Sequence, residues 1–219
     1  MLLARMGMMP AGGGPGGLPM LLQADDCQLI LVDFQVRLMP AIHQGADVLA
    51  NAQRLAQLAR WLDIPVWATE QSPAKLGGTD AALVPLCQHI VHKTCFSATP
   101  VLQPLLAPPA PAPRGNARSL PRHLQKPASS APERSTLVLA GCETHVCLLQ
   151  TALELLEQED WDVWVVQDAC GSRTERNRDA AYDRLAGAGA ELVTTEMVGF
   201  EWLRGAEHPR FKDWQQLIR

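Results

Sequence analysis

Short apolar runs alternate with amphipathic segments along most of the chain. Residues 27–34 (CQLILVDF) are almost continuously apolar, which is typical of a strand that is buried on both faces of a parallel sheet. Residues 46–62 carry alanine, valine and leucine at three- and four-residue intervals, which predicts an amphipathic helix. The further predicted strands cover residues 64–69, 89–93, 136–141, 162–167 and 191–194, and the further predicted helices cover residues 144–158 and 175–188.

This order of strands and helices predicts one doubly wound α/β domain with a Rossmann-like parallel sheet. A strand, a helix and a second parallel strand form a right-handed crossover, so helices cover both faces of the sheet. Ligands of such sheets bind just outside the carboxyl ends of the strands. The residues that directly follow each predicted strand are therefore the first candidates for a functional site.

Two segments differ in composition from the predicted domain, which is expected over residues 24–219. Residues 1–23 are rich in glycine and match neither a signal peptide nor a transit peptide, which predicts a disordered leader. Eight of the 17 prolines lie between Pro104 and Pro132, so an extended or disordered insertion is expected at about 104–134. A tolerated surface insertion is the favoured interpretation, and a polyproline segment that binds a partner is the alternative.

Charge and cysteine content narrow the class of protein. The chain has 219 residues and a formal net charge of -4, whereas nucleic-acid binders need a basic face, so no nucleic-acid partner is expected. No window approaches the roughly 20 consecutive apolar residues of a membrane span, so no membrane partner is expected either. The six cysteines lack the regular spacing of a disulfide scaffold, which predicts reduced thiols and a cytoplasmic location.

Cys147 is the first candidate catalytic residue because it lies in the first turn of a predicted helix that follows a strand. The positive end of a helix dipole favours a thiolate, which is the nucleophilic form of cysteine. The unpaired N–H groups of the same turn are suited to hold an oxyanion, and Glu143 or Thr144 is expected to cap the helix. The alternative is that Cys147 is a small buried hydrophobic residue.

Asp33 and Lys93 end two other predicted strands at the same edge of the sheet. A carboxylate at Asp33 is placed to take the thiol proton and to return it to a leaving amine. Lys93 is placed to stabilise both the carboxylate and the thiolate. The alternatives are a turn cap for Asp33 and an exposed strand-end charge for Lys93.

Neither a metal nor a dinucleotide cofactor is expected. Cys142, His145 and Cys147 lie within one short turn, and no second ligand pair with zinc-site spacing occurs elsewhere in the sequence. The glycine-rich run in residues 12–17 precedes no strand–helix unit, so the fingerprint of a dinucleotide site is missing.

Several sequence blocks in one order carry a resemblance to a known family. The blocks LVDFQ, KTCFS, GCETHVCLLQTALELLE and VVQDACGSR resemble the isochorismatase-like cysteine hydrolase superfamily. TEQSPAKLGGT and HPRFKDWQQLIR are most similar to its isochorismatase domain-containing protein branch. The resemblance runs from about Gln28 to the C-terminus and is interrupted by the proline-rich stretch.

The resemblance implies a six-stranded parallel sheet, a homo-oligomer and a catalytic triad of Asp33, Lys93 and Cys147. It also implies a cis peptide bond between Cys142 and Glu143, which places the N–H of Glu143 beside that of Cys147 in an oxyanion hole. The residues that follow the other strands are candidates to line the pocket. These candidates are Phe34, Gln35, Glu70, Gln71, Phe96 and Thr144.

The sequence departs from two better-known groups of the superfamily. Nicotinamidases carry an aspartate and histidines that bind a metal, whereas this chain has Glu70 and Gln71 after its second predicted strand and no histidine there. True isochorismatases lack the cysteine. The resulting prediction is a cofactor-independent cysteine hydrolase that cleaves a small-molecule amide or a related carbon–nitrogen bond through a thioester on Cys147. The alternative is a catalytically silent binding or scaffold protein.

Overall fold

A six-stranded parallel sheet forms the centre of the molecule in the computed structural model, which describes residues 21–106 and 134–219. The strand order is β3-β2-β1-β4-β5-β6, so the chain reverses its winding between β1 and β4. The predicted doubly wound α/β class is therefore confirmed. The strands are β1 (Cys27–Val32), β2 (Val66–Gln71), β3 (His89–Lys93), β4 (Thr136–Cys142), β5 (Asp162–Gly171) and β6 (Glu191–Val193).

Seven α-helices of the described chain cover the two faces of this sheet. Two short 3₁₀ turns, Met39–Ala41 and Val84–Leu86, and one π-helical turn, Thr144–Leu148, complete the helical structure of this part. The helices are α1 (Gly45–Trp61), α2 (Pro73–Leu76), α3 (Thr99–Leu106), α4 (Leu149–Glu157), α5 (Glu175–Gly187), α6 (Thr195–Leu203) and α7 (Phe211–Leu217).

The hydrophobic core forms two layers, one on each face of the sheet. Along β4, Val138 and Ala140 pack into the layer that contains buried residues of α1, α6 and α7. The alternate residues Leu137 and Leu139 pack into the layer that contains buried residues of α3, α4 and α5. Because side chains alternate between the faces of a strand, a strand buried on both sides must be apolar at every position, which explains the continuous apolar runs.

Strand ends differ from the predicted ones where the backbone turns. β1 ends at Val32, two residues before the predicted end, because Asp33 has a positive φ of 54°. Aspartate is one of the few residues other than glycine that adopt this left-handed conformation readily. β2 continues to Gln71, two residues past the predicted end. Both differences fall at the carboxyl edge of the sheet.

The folded chain also extends beyond two of the expected domain boundaries. Leu22, which the sequence places in the leader, is fully buried; its N–H donates to Glu201 Oε2 at 2.8 Å, and its carbonyl accepts from Arg204 at 2.7 Å. α3 runs through Pro104 to Leu106, so the start of the proline-rich stretch is helical. The rest of the predicted leader (1–20) and of the predicted insertion (107–133) lies outside the described residues. Among the helices of the described chain, none has the length and apolar character needed to cross a membrane.

Candidate active site

Asp33 and Lys93 form a buried ion pair at the carboxyl edge of the sheet. Lys93 Nζ lies 2.7 Å from Asp33 Oδ2, and the side chains of both residues are 0% exposed. The other carboxylate oxygen, Asp33 Oδ1, accepts a hydrogen bond from the Thr69 hydroxyl at 2.7 Å. A buried charge is tolerated when it is paired and hydrogen-bonded, as both charges are here. An exposed strand-end position for Lys93, the alternative considered from the sequence, is therefore wrong.

The Lys93 ammonium has three further oxygen neighbours. Gln71 Oε1 and the Phe96 carbonyl oxygen each accept from Nζ at 2.9 Å, and the Cys95 carbonyl oxygen lies at 3.4 Å. An ammonium group has three N–H donors and no acceptor. Asp33, Gln71 and Phe96 therefore use all three donors, and the lysine is held in one position.

Cys147 lies in the π-helical turn after β4 and is largely buried, with 6% of its surface exposed. Burial raises the pKa of its thiol to about 12, and the negative charge of Asp33 acts in the same direction. Lys93 lowers the pKa of this thiol but does not offset the other two effects. The raised pKa runs against the expectation of a preformed thiolate, because burial and the charge of Asp33 both disfavour the charged form of the sulfur.

The turn that carries Cys147 is held by its own backbone and by α4. The peptide bond between Cys142 and Glu143 is cis. The carbonyl oxygen of Glu143 accepts from the N–H groups of Val146 at 3.0 Å and Leu148 at 3.3 Å. The sequence predicts Glu143 or Thr144 as the cap of this turn, but the Glu143 side chain does not cap it. Its carboxylate instead accepts a hydrogen bond from Arg173 Nε at 3.0 Å.

Gln35 and Gln71, two of the predicted pocket residues, are hydrogen-bonded to each other. Gln35 Oε1 accepts from the backbone N–H of Gln71 at 2.8 Å, and Gln35 Nε2 donates to the carbonyl of Gly77 at 2.6 Å. Gln35 is fully buried, so it joins the end of β1 to the end of β2. Of the two glutamines, Gln71 is the one whose side chain contacts Lys93.

Glu70, another predicted pocket residue, lies on the opposite face of β2 from Thr69 and Gln71. Its carboxylate accepts from the N–H and the hydroxyl of Thr79 at 2.7 and 2.9 Å, and it lies 3.1 Å from His92 Nε2. These contacts explain why a carboxylate is buried there without joining the Asp33–Lys93 pair. Side chains that are adjacent in a strand point to opposite faces, which is the reason for the separation.

The remaining three predicted pocket residues, Phe34, Thr144 and Phe96, differ from one another in how much of their surface is exposed. Phe34 is 1% exposed and belongs to the core layer beneath α1. Thr144 is fully buried. Phe96 has 55% of its surface exposed, while its carbonyl holds Lys93. Phe96 is thus an exposed apolar side chain whose backbone is part of the site.

Thr69 was not singled out from the sequence, although its hydroxyl contacts Asp33. The available signal was a threonine two residues before Gln71 at the end of an apolar run (IPVWAT). Because β2 continues past this threonine to Gln71, the side chains of Thr69 and Gln71 lie on one face of the strand, which a strand that ends at Thr69 does not predict.

The three residues considered as zinc ligands have separate environments. Cys142 Sγ lies 3.8 Å from Met39 Sδ, and His145 Nδ1 lies 2.9 Å from the Ser172 hydroxyl. Cys147 faces the Asp33–Lys93 pair instead. Within residues 21–106 and 134–219, no three histidine, cysteine or carboxylate side chains are grouped as metal ligands would be.

The comparison with known proteins assigns the family. A family model for the isochorismatase domain matches residues 27–197 of the chain. The chain belongs to the isochorismatase family. Isochorismatase domain-containing protein 2A from Mus musculus is 35% identical over 191 residues, which cover 87% of this chain and 82% of the relative. This family membership supports a hydrolase role.

Solved structures of other proteins share the fold of this chain. The MAR1 ribonuclease from Caenorhabditis elegans is 30% identical with a TM-score of 0.75, and the match covers 90% of this chain and 92% of that protein. The YcaC gene product from Escherichia coli, described as an octameric hydrolase of unknown specificity, is 22% identical with a TM-score of 0.69. That match covers 91% of this chain and 95% of YcaC, and it shows the fold alone.

Proposed function

We propose that this member of the isochorismatase family is a cysteine hydrolase that cleaves a carbon–nitrogen bond of a small amide through a thioester on Cys147. The observation that carries the proposal is the fully buried Asp33–Lys93 pair, whose charges act on the Cys147 thiol. A carboxylate beside a neutral, nucleophilic side chain is the arrangement that a general base requires.

The first half of the reaction forms the thioester. Asp33 takes the proton of the Cys147 thiol as the sulfur attacks the substrate carbonyl carbon, and the backbone N–H groups of Glu143 and Cys147 hold the resulting oxyanion. The carbon–nitrogen bond then breaks, and the leaving nitrogen takes the proton from Asp33. The amine departs, and the acyl group stays on sulfur.

The second half restores the enzyme. A water molecule gives a proton to Asp33 and attacks the thioester carbonyl, and the carbon–sulfur bond breaks to release the carboxylic acid. The proton on Asp33 returns to Cys147. Amide and water are consumed, and acid and amine are formed, with no net change in the protein.

Lys93 explains how these proton transfers occur in a buried site. At rest, the site holds a carboxylate and an ammonium beside a neutral thiol. After the transfer from thiol to carboxylate, the site holds a thiolate and an ammonium beside a neutral acid. The ammonium therefore lies beside one negative charge in both states, first on the carboxylate and then on the sulfur, so the lysine removes much of the penalty of forming a buried thiolate.

The raised pKa of Cys147 is the observation that favours the alternative, a catalytically silent binding protein. An inert buried cysteine also has a raised pKa, because burial disfavours the thiolate. The two functions differ in whether the thiol becomes acylated when a substrate is bound.

The test is a screen of small amides, ureas and carbamoyl compounds with the full chain, in which mass spectrometry detects an acyl adduct and peptide mapping locates it. We expect turnover together with an adduct on Cys147, loss of both in Cys147→Ala, and retention of both in the matched thiol variant Cys87→Ser. Hydrolysis that persists in Cys147→Ala, or an adduct on another residue only, contradicts the proposal.

The expected assembly and location belong to the same proposal. We propose a homo-oligomer, which light scattering of the purified chain tests. We also propose a cytoplasmic location, which is supported by the unpaired state of all six cysteines in the structure.

A further inference from the structure

One face of β2 reaches both members of the Asp33–Lys93 pair. β2 lies between β1 and β3 in the sheet, with Thr69 in register with Val32 and Gln71 in register with Lys93. Residues two apart in a strand share a face, so the side chains of Thr69 and Gln71 lie on the same side of the sheet. One side chain contacts the carboxylate, and the other contacts the ammonium.

The Thr69 hydroxyl determines how Asp33 is oriented. Thr69 is fully buried, and its hydroxyl has a single hydrogen, which it donates to Asp33 Oδ1. Lys93 occupies Oδ2. Both oxygens are therefore engaged from different directions, and rotation of the carboxyl group breaks both contacts. A hydrogen bond to a carboxylate also favours its charged form over its protonated form.

Hydrogen bonds also hold the Gln71 carboxamide in one orientation. Its Nε2 donates to the Thr94 carbonyl at 2.7 Å and lies 3.2 Å from the Ser72 hydroxyl. These contacts turn Oε1 toward Lys93, at 2.9 Å from Nζ. A flipped carboxamide would place an NH₂ group against an ammonium, where donor would face donor.

We infer that Thr69 and Gln71 are positioning residues of this active site. Thr69 holds the Asp33 carboxylate in the orientation in which it can accept the thiol proton, and Gln71 holds Lys93 where it compensates the thiolate. This inference rests on the proposed role of Asp33 as base, but its test requires no substrate.

The test measures the rate at which iodoacetamide alkylates Cys147 as a function of pH, with peptide mapping to separate Cys147 from the other cysteines. When the proton moves from sulfur to Asp33 within the site, the protein as a whole loses no proton, so the rate does not depend on pH around neutrality. The profile of the wild-type protein is therefore expected to have a plateau there. Asp33→Asn is expected to remove this plateau.

Thr69→Val removes the hydroxyl and keeps the shape of the side chain. Without the donor the carboxylate loses one of the two contacts that orient it, so the plateau rate is expected to fall about 5-fold, the effect of losing about one hydrogen bond. Thr69→Ser keeps a hydroxyl and is expected to retain the wild-type profile. If Thr69→Val does not fold, Thr69→Ala provides the same comparison in a smaller side chain.

Gln71→Met removes the oxygen that accepts from Lys93 and keeps the length of the side chain. The plateau rate is expected to fall by about 5- to 10-fold, the effect of losing about one hydrogen bond to a charged group. Glu70→Gln is the matched control, because the structure places this neighbouring side chain on the opposite face against Thr79. It is expected to keep the wild-type rate.

Two results overturn the inference. The first is a Thr69→Val profile that coincides with those of Thr69→Ser and the wild-type protein. The second is a Gln71→Met rate equal to that of Glu70→Gln. If the alkylation profiles shift as expected but no amide is hydrolysed, the proposed hydrolase function fails and the positioning role stands.

Discussion

The hydroxyl of Thr151 donates a hydrogen bond to the carbonyl oxygen of Cys147 at 2.7 Å and accepts one from the backbone N–H of Ala98 at 2.9 Å. Thr151 is fully buried in α4, one turn after Cys147. Ala98 follows the loop whose carbonyls hold Lys93. One side chain thus joins the turn that carries the thiol to the loop that positions the lysine.

Replacement of Thr151 by valine is expected to loosen this connection. It leaves the Ala98 N–H buried without its acceptor, which costs about 1–3 kcal/mol in the free energy of unfolding. Urea denaturation measures that loss, and the activity found in the amide screen is expected to fall about 10-fold, the value of a contact worth ~1.4 kcal/mol in the transition state. Thr151→Ser keeps the hydroxyl and is expected to retain most of the stability and most of the activity of the wild-type protein. Equal stability of the valine and serine variants would contradict the role of this contact.

The Asp33–Lys93 pair is expected to show strong coupling in stability. Asp33→Asn or Lys93→Met alone leaves one buried charge without its partner, which costs about 3–5 kcal/mol. The double variant removes both charges, so its loss is expected to be well below the sum of the two single losses. A double-mutant cycle from denaturation curves measures the coupling, and additive losses would show that the two charges do not depend on each other.

The raised pKa of Cys147 predicts opposite effects of Asp33→Asn at different pH values. A pKa of about 12 means that the thiol is protonated across the neutral range, so alkylation near neutral pH depends on Asp33 as base and is expected to slow in the variant. The carboxylate also raises this pKa. Near pH 10 the variant is therefore expected to form more thiolate and to react faster than the wild-type protein. Alkylation near neutral pH that is as fast in the variant as in the wild-type protein would disprove the base role.

The close packing of α6 against α7 leads to a prediction about stability that does not involve the active site. A Cβ atom at Gly199 would overlap Cζ2 of Trp214, and Trp214 is fully buried. Gly199→Ala therefore forces the indole out of place and is expected to lower the free energy of unfolding by about 1–3 kcal/mol, as overpacking does in other cores. Nothing lies within 4 Å of a Cβ at Gly205, so Gly205→Ala is the control and is expected to be near neutral. Equal denaturation midpoints for the two variants would contradict the tight packing.

The sequence by itself predicted the fold class because a strand buried on both faces has to be apolar at every position. β1 and β4 carry this pattern, and the helices between strands carry the three- and four-residue spacing of one buried face. The strand-end positions of Asp33, Lys93 and the turn of Cys147 follow from the same pattern. Their common location at one edge follows from the parallel direction of the strands.

How these residues meet depends on the way distant strands pack. The position of β2 between β1 and β3, together with its extension to Gln71, places Thr69 and Gln71 toward the ion pair and Glu70 away from it. Whether Cys147 is a thiol or a thiolate depends on the balance of burial, Asp33 and Lys93, which are 114 and 54 residues away along the chain (147 − 33 and 147 − 93). Hydrophobic pattern is a local property of the sequence, whereas desolvation and charge pairing arise only when distant strands pack side by side.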